Sequence, residues 1–381
     1  MWQPSADLAA ALVGSERVTS FRFDVIDETG AVLDTLTPAD EDNAGILGGQ
    51  VTCSTDGIRW TGAVTVVGET LIPLRVGDLL HPLTYNRIKP WVRVRLADGT
   101  WGEIPLAPMY VDAMPSLQDS GLTPDVEATL SLSDAVALIK RAGWRTPKRL
   151  GGMTCHTAVK TIINEVAPWL TVVVTNPAVS TTLPSEYDVG EPGGDPWADV
   201  ETICQAGDLV AYVDRDGVMR VEARPTTTAV RWAFNEGADD CLMVDVSADV
   251  DLAGIDSVVA VQSDSEDVDP PVVGWWEDED PTSPLYTGGG HYLFSGIRTN
   301  PAVTTQSQAA SVAERIGATM RAATQTVVIS AVPVPVLDPH DVVDVARERI
   351  GVGGLCEVQS WTVTFDPTDL MALTATGRVD L

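Results

Sequence analysis

The sequence predicts a mainly β protein of the α+β class, in which a small α/β module lies between two β-rich units. Residues 17–132 contain short segments in which apolar and polar side chains alternate, as in strands with one buried face. Residues 146–225 contain amphipathic helical segments instead, and the alternation returns after residue 226. The chain has 381 residues, of which 44% are hydrophobic. Because single cores stop growing beyond roughly 250–300 residues, two or three domains are expected.

The first unit, residues 1–145, reads as a series of strands closed by a helix. Strands are predicted at 18–26, 32–37, 46–54, 58–67, 91–96, 101–106, 109–114 and 126–132. Asp98-Gly99 lies between two of them and predicts a tight hairpin turn. Ser133 precedes helix-forming residues and is therefore the predicted N-cap of the closing helix.

The module, residues 146–225, contains two predicted helices and a hairpin. One helix covers residues 154–166, and the other begins at Asp195-Pro196-Trp197, where Asp caps the helix and Pro fits its first turn. Asp214-Arg215-Asp216-Gly217 has two interpretations, a calcium loop and a hairpin turn. The third ligand and the distal Glu of an EF-hand loop are missing, so the pattern favours the turn.

The last unit, residues 226–381, contains strands and one long helix. Strands are predicted at 230–234, 242–246, 255–262, 326–332, 342–346, 355–365 and 370–376. Helix 305–323 has Ala309, Val312, Ile316 and Met320 on one face, so it should lie against a sheet. The acidic segment 263–300 is longer than ordinary loops, and we expect it to project from the body.

The charge of the chain is strongly negative. Asp and Glu number 54 against 24 Lys and Arg, a net charge of −30, which disfavours tight binding of nucleic acid. The charged clusters are either solvated faces or complementary subunit surfaces. The candidate acidic face comprises Asp239, Asp240, Asp245, Asp249, Asp251 and Asp256. The candidate basic subunit contact comprises Arg93, Arg95, Lys140, Arg141, Arg145, Lys148 and Arg149.

Membrane, disulfide and catalytic patterns are not found. No apolar run approaches the roughly 18 residues of a membrane span, and the N-terminus does not read as a signal peptide. The five cysteines are far apart, which predicts buried free thiols rather than a disulfide framework or zinc site. The four histidines lie in no known catalytic or metal-binding spacing, so we predict no enzyme activity, cofactor or metal.

Two stretches carry a resemblance to a known family. Residues 207–217 read Gly-Asp-x-x-x-Tyr-x-Asp-x-x-Gly after a helix, and residues 341–345 read Asp-x-Val-x-Val after prolines and before a Trp/Thr strand. With the order of the units, this resembles the tail hub proteins of long-tailed bacteriophages, known as minor tail proteins in phages of actinobacteria. The resemblance implies two tail-tube-like β-barrel domains, 1–145 and 226–381, each with one packed helix, and the module between them.

The resemblance also implies a function and partners. Three copies would form a ring at the tail tip of the virion, made in the bacterial cytoplasm and without stable membrane insertion. The ring would join the sixfold tail tube protein and distal tail protein ring to a threefold central fibre or spike, with the tape measure protein inside. Genome DNA would pass through its channel without specific binding, and a wall of carboxylates would repel the phosphates.

Two alternatives remain open at this stage. A tail-associated cell-wall hydrolase would use carboxylates as general acid and base. A carbohydrate-binding module would use Trp275, Trp276 and Tyr286 of the acidic segment as stacking platforms. The same three aromatic residues are the candidate contact with a protein partner, because tryptophan is enriched at interface hot spots.

Overall fold

The structure is a computed structural model that describes residues 2–13, 17–39, 45–68, 70–113, 127–175, 181–225, 229–234, 243–249, 254–264, 268–290, 292–322 and 325–377. Within these ranges the chain is mainly β, with five α-helices. The mainly β class is therefore confirmed.

The first β-rich stretch follows a short helix that the sequence analysis did not predict. Helix α1 (Ala6–Val13) buries Leu8 and Leu12. The Asp98-Gly99 hairpin is confirmed, and it joins the fifth and sixth strands. The strands are β1 (Thr19–Ile26), β2 (Val32–Leu36), β3 (Gly45–Ser54), β4 (Trp60–Val67), β5 (Arg87–Arg95), β6 (Trp101–Pro105), β7 (Met109–Val111) and β8 (Glu127–Ser133).

The module contains the two predicted helices and the predicted hairpin. Asp195 caps the second helix by accepting the N–H of Trp197 at 2.8 Å. In the hairpin turn, the Asp214 carboxylate accepts the N–H groups of Asp216 and Val218, each at 2.9 Å. Helix α2 (Ala135–Ala142) closes the first stretch, as predicted. The module elements are β9 (Lys148–Arg149), α3 (Cys155–Val166), β10 (Val172–Thr175), β11 (Asp188–Val189), α4 (Pro196–Gly207), β12 (Leu209–Val213) and β13 (Met219–Ala223).

One predicted cap is wrong. Ser133 does not cap α2, because it is still part of β8 and its hydroxyl donates to Asp112. Asp134 caps the helix instead, and its carboxylate accepts the N–H of Val136 at 2.9 Å.

In its described residues, the last stretch contains nine strands and the long helix. Its elements are β14 (Val230–Phe234), β15 (Met243–Asp249), β16 (Val258–Ser263), β17 (Val273–Glu277), β18 (Ile297–Asn300), α5 (Gln306–Ala322), β19 (Gln325–Ala331), β20 (Val342–Arg347), β21 (Val352–Thr364) and β22 (Met371–Gly377). All the strands predicted in this stretch are present, whereas β17 and β18 were not predicted.

The first and last β-rich stretches share one fourteen-stranded sheet. Seven consecutive antiparallel strands, in the order β15–β19–β22–β21–β3–β4–β8, form a surface that we call the wall. The pairing of β21 with β3 joins the two halves of the wall. In the described part of the chain the sheet does not close into a barrel.

Two hydrophobic cores lie on this framework. One core packs the side chains of the fourteen-stranded sheet, and its largest members include Trp60, Trp361 and Phe23. The other core joins α2 and the module helices α3 and α4 to β16 and α5. The described residues from about 255 to 322 therefore pack with the module and not with the fourteen-stranded sheet.

The expected projecting loop at 263–300 is wrong for the residues that the structure describes. Apolar residues of this segment form β17, which pairs with β16, and β18 pairs with the other edge of β16. Helix α5 covers one side of this small sheet, because Gly274 lets the helix backbone approach closely. The expectation that one helix packs on each barrel is also wrong: α5 lies on the small sheet and α2 lies in the module core.

Candidate assembly surfaces

One face of the wall presents an almost uncharged surface rich in hydroxyl groups. The strand registers place these residues in rows, such as Ser330, Ala372, Thr362, Thr52 and Thr61. Two of the threonine pairs bond across strands. We call this surface the hydroxyl face. Its exposed or half-buried Ser and Thr residues are Thr52, Ser54, Thr61, Thr65, Thr129, Ser131, Ser247, Thr326, Ser330, Ser360, Thr362, Thr364, Thr374 and Thr376.

Carboxylates occur only at the margins of the hydroxyl face among the described residues. Asp245 and Asp249 lie on the edge strand β15, Glu127 begins β8, and Glu357 lies in the row that ends the wall. No Lys or Arg lies on the described part of this face. The face is therefore neutral at its centre and weakly acidic at its rim.

Only three of the six residues of the predicted acidic face lie in the described part of the chain. Asp239, Asp240 and Asp251 lie outside the described residues. Asp256 does not belong to an exposed face, because it is 3% exposed. It accepts hydrogen bonds from the N–H and hydroxyl of Ser295, each at 2.7 Å, and pairs with Arg298 at 3.0 Å. Its charge anchors the chain before β18.

Each end of the wall has a strand edge that lacks a partner among the described residues. Strand β15 pairs with β19 on one side only. At the other end, β7 pairs with β8 at Leu132 and Ser133, and the N–H of Asp112 donates to the carbonyl of Ser131 at 2.9 Å. Residues 127–130 have no described strand partner on that side. Open edges present unpaired N–H and C=O groups that another chain can bond.

A buried arginine joins three parts of the chain. Arg215, in the module hairpin turn, is 4% exposed. Its guanidinium donates to the carbonyl oxygens of Pro105, Pro335 and Leu337 at 3.0, 2.7 and 2.9 Å, and to the Asp338 carboxylate at 3.0 and 3.2 Å. All the N–H groups of the side chain are thus used. These hydrogen bonds and the ion pair with Asp338 connect the module to both β-rich stretches at one point, which we call the junction.

Neighbouring side chains complete the junction. Arg59 lies 3.5 Å from Asp338 and stacks on the ring of Tyr212 at 4.0 Å. Trp60 donates to the carbonyl of Val213, and its ring meets that of Trp361 edge to face at 5.7 Å. Burial would raise the pKa of Asp338, but the charges of Arg215 and Arg59 outweigh burial and lower it. The junction is therefore a buried, paired ionic cluster.

Sequence reasoning missed the junction. The Asp214–Gly217 turn was correctly read as a hairpin, but a charged residue in a turn is ordinarily solvated. Nothing in the spacing of Arg215 relative to Asp338 indicates that they meet, because they are 123 residues apart in the chain.

A second buried carboxyl group lies between the wall and α2. Asp134 is fully buried and accepts the N–H of Trp60 and of Val136, each at 2.9 Å. Burial raises the pKa of Asp134 to about 7. Burial also raises the pKa of Asp341 near the junction to about 6. A carboxyl group with a raised pKa stabilises the fold fully below its unfolded pKa, and this contribution is lost as the pH rises through the folded value.

Asp134→Asn is therefore expected to remove a pH dependence of stability. The variant loses one hydrogen bond to a backbone N–H and is less stable than the wild type near pH 4. As the pH rises to 7, the wild type loses stability by about 1.4 kcal/mol per unit of pKa difference, so the gap closes or reverses. Urea unfolding between pH 4 and 8 measures the gap. Asp195→Asn, at the exposed cap of α4, is the control, and a constant gap for Asp134→Asn would contradict the assignment.

The candidate basic residues lie on separate elements. Arg93 and Arg95 lie on β5 and stack on the ring of Trp101 at 4.8 and 5.8 Å. Lys140 and Arg141 end α2. Arg145 follows in a turn, and Lys148 and Arg149 form β9, where they pair with Glu165 and Glu186. A role in subunit contact stays a prediction for all seven residues.

The three candidate aromatic residues do not form one platform. Trp275 is exposed on the side of the small sheet away from α5, whereas Trp276 packs on α5 beside Gly317. Tyr286 lies in the turn that follows, with its ring beside Gly288. Neighbouring residues of a strand point to opposite faces. The stacking platform of the carbohydrate hypothesis is therefore wrong for this trio, and the observed neighbour of Trp275 is Phe294, at 5.9 Å between ring centroids.

Four of the five cysteines lie in the described part of the chain. Cys53, Cys155, Cys204 and Cys356 are buried and free, as predicted, and Cys241 lies outside the described residues. Among the described helices, none has the length and apolar character that a membrane span requires.

The fold is similar to solved structures of tail proteins over nearly the whole chain. The tail protein from Neisseria meningitidis MC58 has a TM-score of 0.64 and 14% identity, covering 94% of this chain and 96% of that one. The 43 kDa tail protein of prophage MuSo2 from Shewanella oneidensis has a TM-score of 0.59 and 13% identity, covering 94% and 98%. Prophage tail protein gp18 from Listeria monocytogenes EGD-e has a TM-score of 0.52 and 9% identity, covering 95% of each chain.

No protein-family model and no curated protein matches the sequence. At identities of 9 to 14%, the likeness concerns the fold. The chain thus has the fold of phage tail proteins.

Proposed function

We propose that the chain is a structural hub of a long-tailed phage, in which three copies form a ring at the tail tip. The ring joins the sixfold tail tube protein and distal tail protein ring to a threefold central fibre or spike, with the tape measure protein inside. The role is architectural and not catalytic. The host is an actinobacterium, in keeping with the excess of arginine over lysine in the sequence.

The observation that carries the proposal is the wall. It is one continuous antiparallel surface built from both halves of the chain. Among the described residues, β15 has a partner on one side only, and β8 is paired with β7 over only part of its length. Pairing of β8 of one copy with β15 of the next is a head-to-tail contact, which closes into a ring when the rotation allows. Each half then acts as one tail-tube-like barrel unit, so three copies present six units to a sixfold tube.

The hydroxyl face is the proposed lining of the DNA channel. Phosphates bind proteins mainly through Lys and Arg, which release counterions from the nucleic acid. The described part of the hydroxyl face carries neither, so DNA would find no ion-pairing partner on it. The lining differs from the carboxylate wall expected from the sequence, since its centre is neutral and only its margins are acidic.

Adding lysines to the hydroxyl face tests this function. Thr129→Lys combined with Ala372→Lys is expected to slow DNA release from tailed particles, because each new phosphate contact must break during passage. The delay should shrink at high salt. The time course of genome release at low and high salt measures it. The control adds two lysines at exposed sites elsewhere, Thr171→Lys and Ser307→Lys. Equal release from both variants would overturn the channel assignment.

A further inference from the structure

The small sheet β17–β16–β18 exposes an apolar surface on the side that α5 does not cover. Register places Trp275, Ala260 and Ile297 side by side across its three strands. Trp275 and Ile297 are 56% and 49% exposed, and Phe294 beside Trp275 is 45% exposed. Ala260 beneath them is fully buried. We call the set Trp275, Phe294 and Ile297 the aromatic face. Large exposed apolar clusters of this kind mark interaction sites.

The margin of the aromatic face is acidic. Glu277 follows Trp275 by two residues in β17, so it projects on the same side of the strand. Glu279 is also exposed next to it. No Lys or Arg occurs in the sequence from residue 232 to residue 297. A surface that complements the aromatic face is therefore apolar and flat at its centre and carries cations at its margin.

Such a surface lies on the outer side of β1, β5 and β6. Trp91 is flanked by Arg22 at 4.8 Å and Lys89 at 4.9 Å, measured to the ring centroid. Trp101 is flanked by Arg93 at 4.8 Å and Arg95 at 5.8 Å. We call this set of four cations and two indole rings the cation–tryptophan ladder.

Carboxylates neutralise the ladder only in part. Asp24 and Glu103 lie on the same strands, and Glu103 pairs with both Arg22 and Arg93. Lys89 also lies 3.7 Å from Asp216 of the module hairpin. Four cations against these three carboxylates leave one excess positive charge, on a chain whose net charge is −30.

The order of elements also fits a contact between copies. In sequence, the small sheet follows β15, whereas the ladder strands β5 and β1 continue the fourteen-stranded sheet beyond β8 and β7. The β8-to-β15 pairing of the proposed ring, on which this step rests, therefore brings the small sheet of one copy next to the half that carries the ladder of another. We propose that the aromatic face of one copy docks on the cation–tryptophan ladder of a second copy.

Charge reversal tests the contact without touching the buried cores. Glu277→Arg with Glu279→Arg is expected to weaken self-association of the full chain at least tenfold, and so is Arg93→Glu with Arg95→Glu. A chain with all four changes should regain association, because the attraction is restored with opposite sign. Light scattering over a concentration series measures the dissociation constant. Glu191→Arg with Glu314→Arg changes the charge equally elsewhere and should have the smaller effect.

A second variant tests the contact even if the charge-reversed variants fail to fold. Trp275→Ser combined with Ile297→Ser removes exposed side chains only, so the fold should persist by circular dichroism while association weakens. Unchanged association in these variants, or no regain in the fourfold variant, would overturn the proposal. If the charge-reversed variants still form rings, the hub proposal holds, but this contact is not needed for the ring. If the fourfold variant regains association but its particles form no ring, the result supports the contact and contradicts the hub proposal.

Discussion

Arg215→Met is expected to lower the free energy of unfolding by about 3–5 kcal/mol, because it leaves Asp338 as a buried charge with a weakened counter-charge. The three carbonyl groups that Arg215 satisfies also lose their partner. Arg59 remains 3.5 Å from Asp338 but donates no hydrogen bond to those carbonyls in the structure. Urea unfolding at neutral pH measures the loss.

Arg220→Met is the matched control for Arg215→Met. Arg220 lies on the strand that follows the same turn and pairs with Asp214 at 2.6 Å, but its side chain is 32% exposed. Exposed pairs contribute about 0–1 kcal/mol, so this change should be nearly neutral. Equal losses in the two variants would show that the junction does not hold the module in place.

The pH dependence of the junction has a defined sign. Because the folded pKa of Asp338 is lowered from 3.8, its contribution is present above that value and is lost as the pH falls through the folded pKa. Arg215→Met should therefore reduce the loss of stability that the wild type shows on acidification below pH 4.

Proline in the edge strand β15 is expected to abolish the ring in one of two neighbouring variants. Successive residues of an antiparallel strand direct their N–H groups to opposite sides. Of Ser247→Pro and Ala248→Pro, one removes an N–H that faces β19 and destabilises the chain. The other removes an N–H on the open edge, where proline is tolerated in a fold but cannot donate to a second chain.

The two proline variants control each other. Thermal unfolding identifies the variant that keeps the stability of the wild type, and the native mass of that variant is then measured. We expect it to remain monomeric under conditions in which the wild type assembles. A fully stable proline variant that still forms rings would show that β15 is not a subunit edge.

Much of the fold is predictable from local patterns. Strands such as β5 and β21 alternate buried and exposed residues, so period-two hydrophobicity identifies them. The cap of α4 is also local, since Asp195 and Pro196 act within one turn of the chain. These features depend on residues close together in sequence, which is why sequence reasoning finds them.

Other features depend on contacts between distant residues. Strand β17 lies in the acidic segment that was expected to project because of its length, and its Gly274 is what allows α5 to approach. The hydroxyl face has no signature in any one strand, because single Ser and Thr residues are common on exposed sheet surfaces. It becomes visible only when the registers of seven strands place those residues side by side.

The candidate site was the least predictable part. Acid clustering in the sequence suggested one acidic face, but Asp256 is buried against Ser295 and Arg298, whereas Asp245 and Asp249 lie on the wall margin. Clustering in the sequence does not determine which side chains share a surface, because strand alternation and burial separate them. The shared face of Arg93 and Arg95 is predictable from the sequence, because alternation along β5 puts both side chains on one side of the strand.

The most direct test of the hub proposal is the native mass of the purified chain over a concentration series, followed by electron microscopy of the largest species. The proposal predicts a species of three times 40.5 kDa that images as a threefold ring with a central hole. A chain that stays monomeric at every concentration, or one that closes as a dimer without a hole, would contradict it.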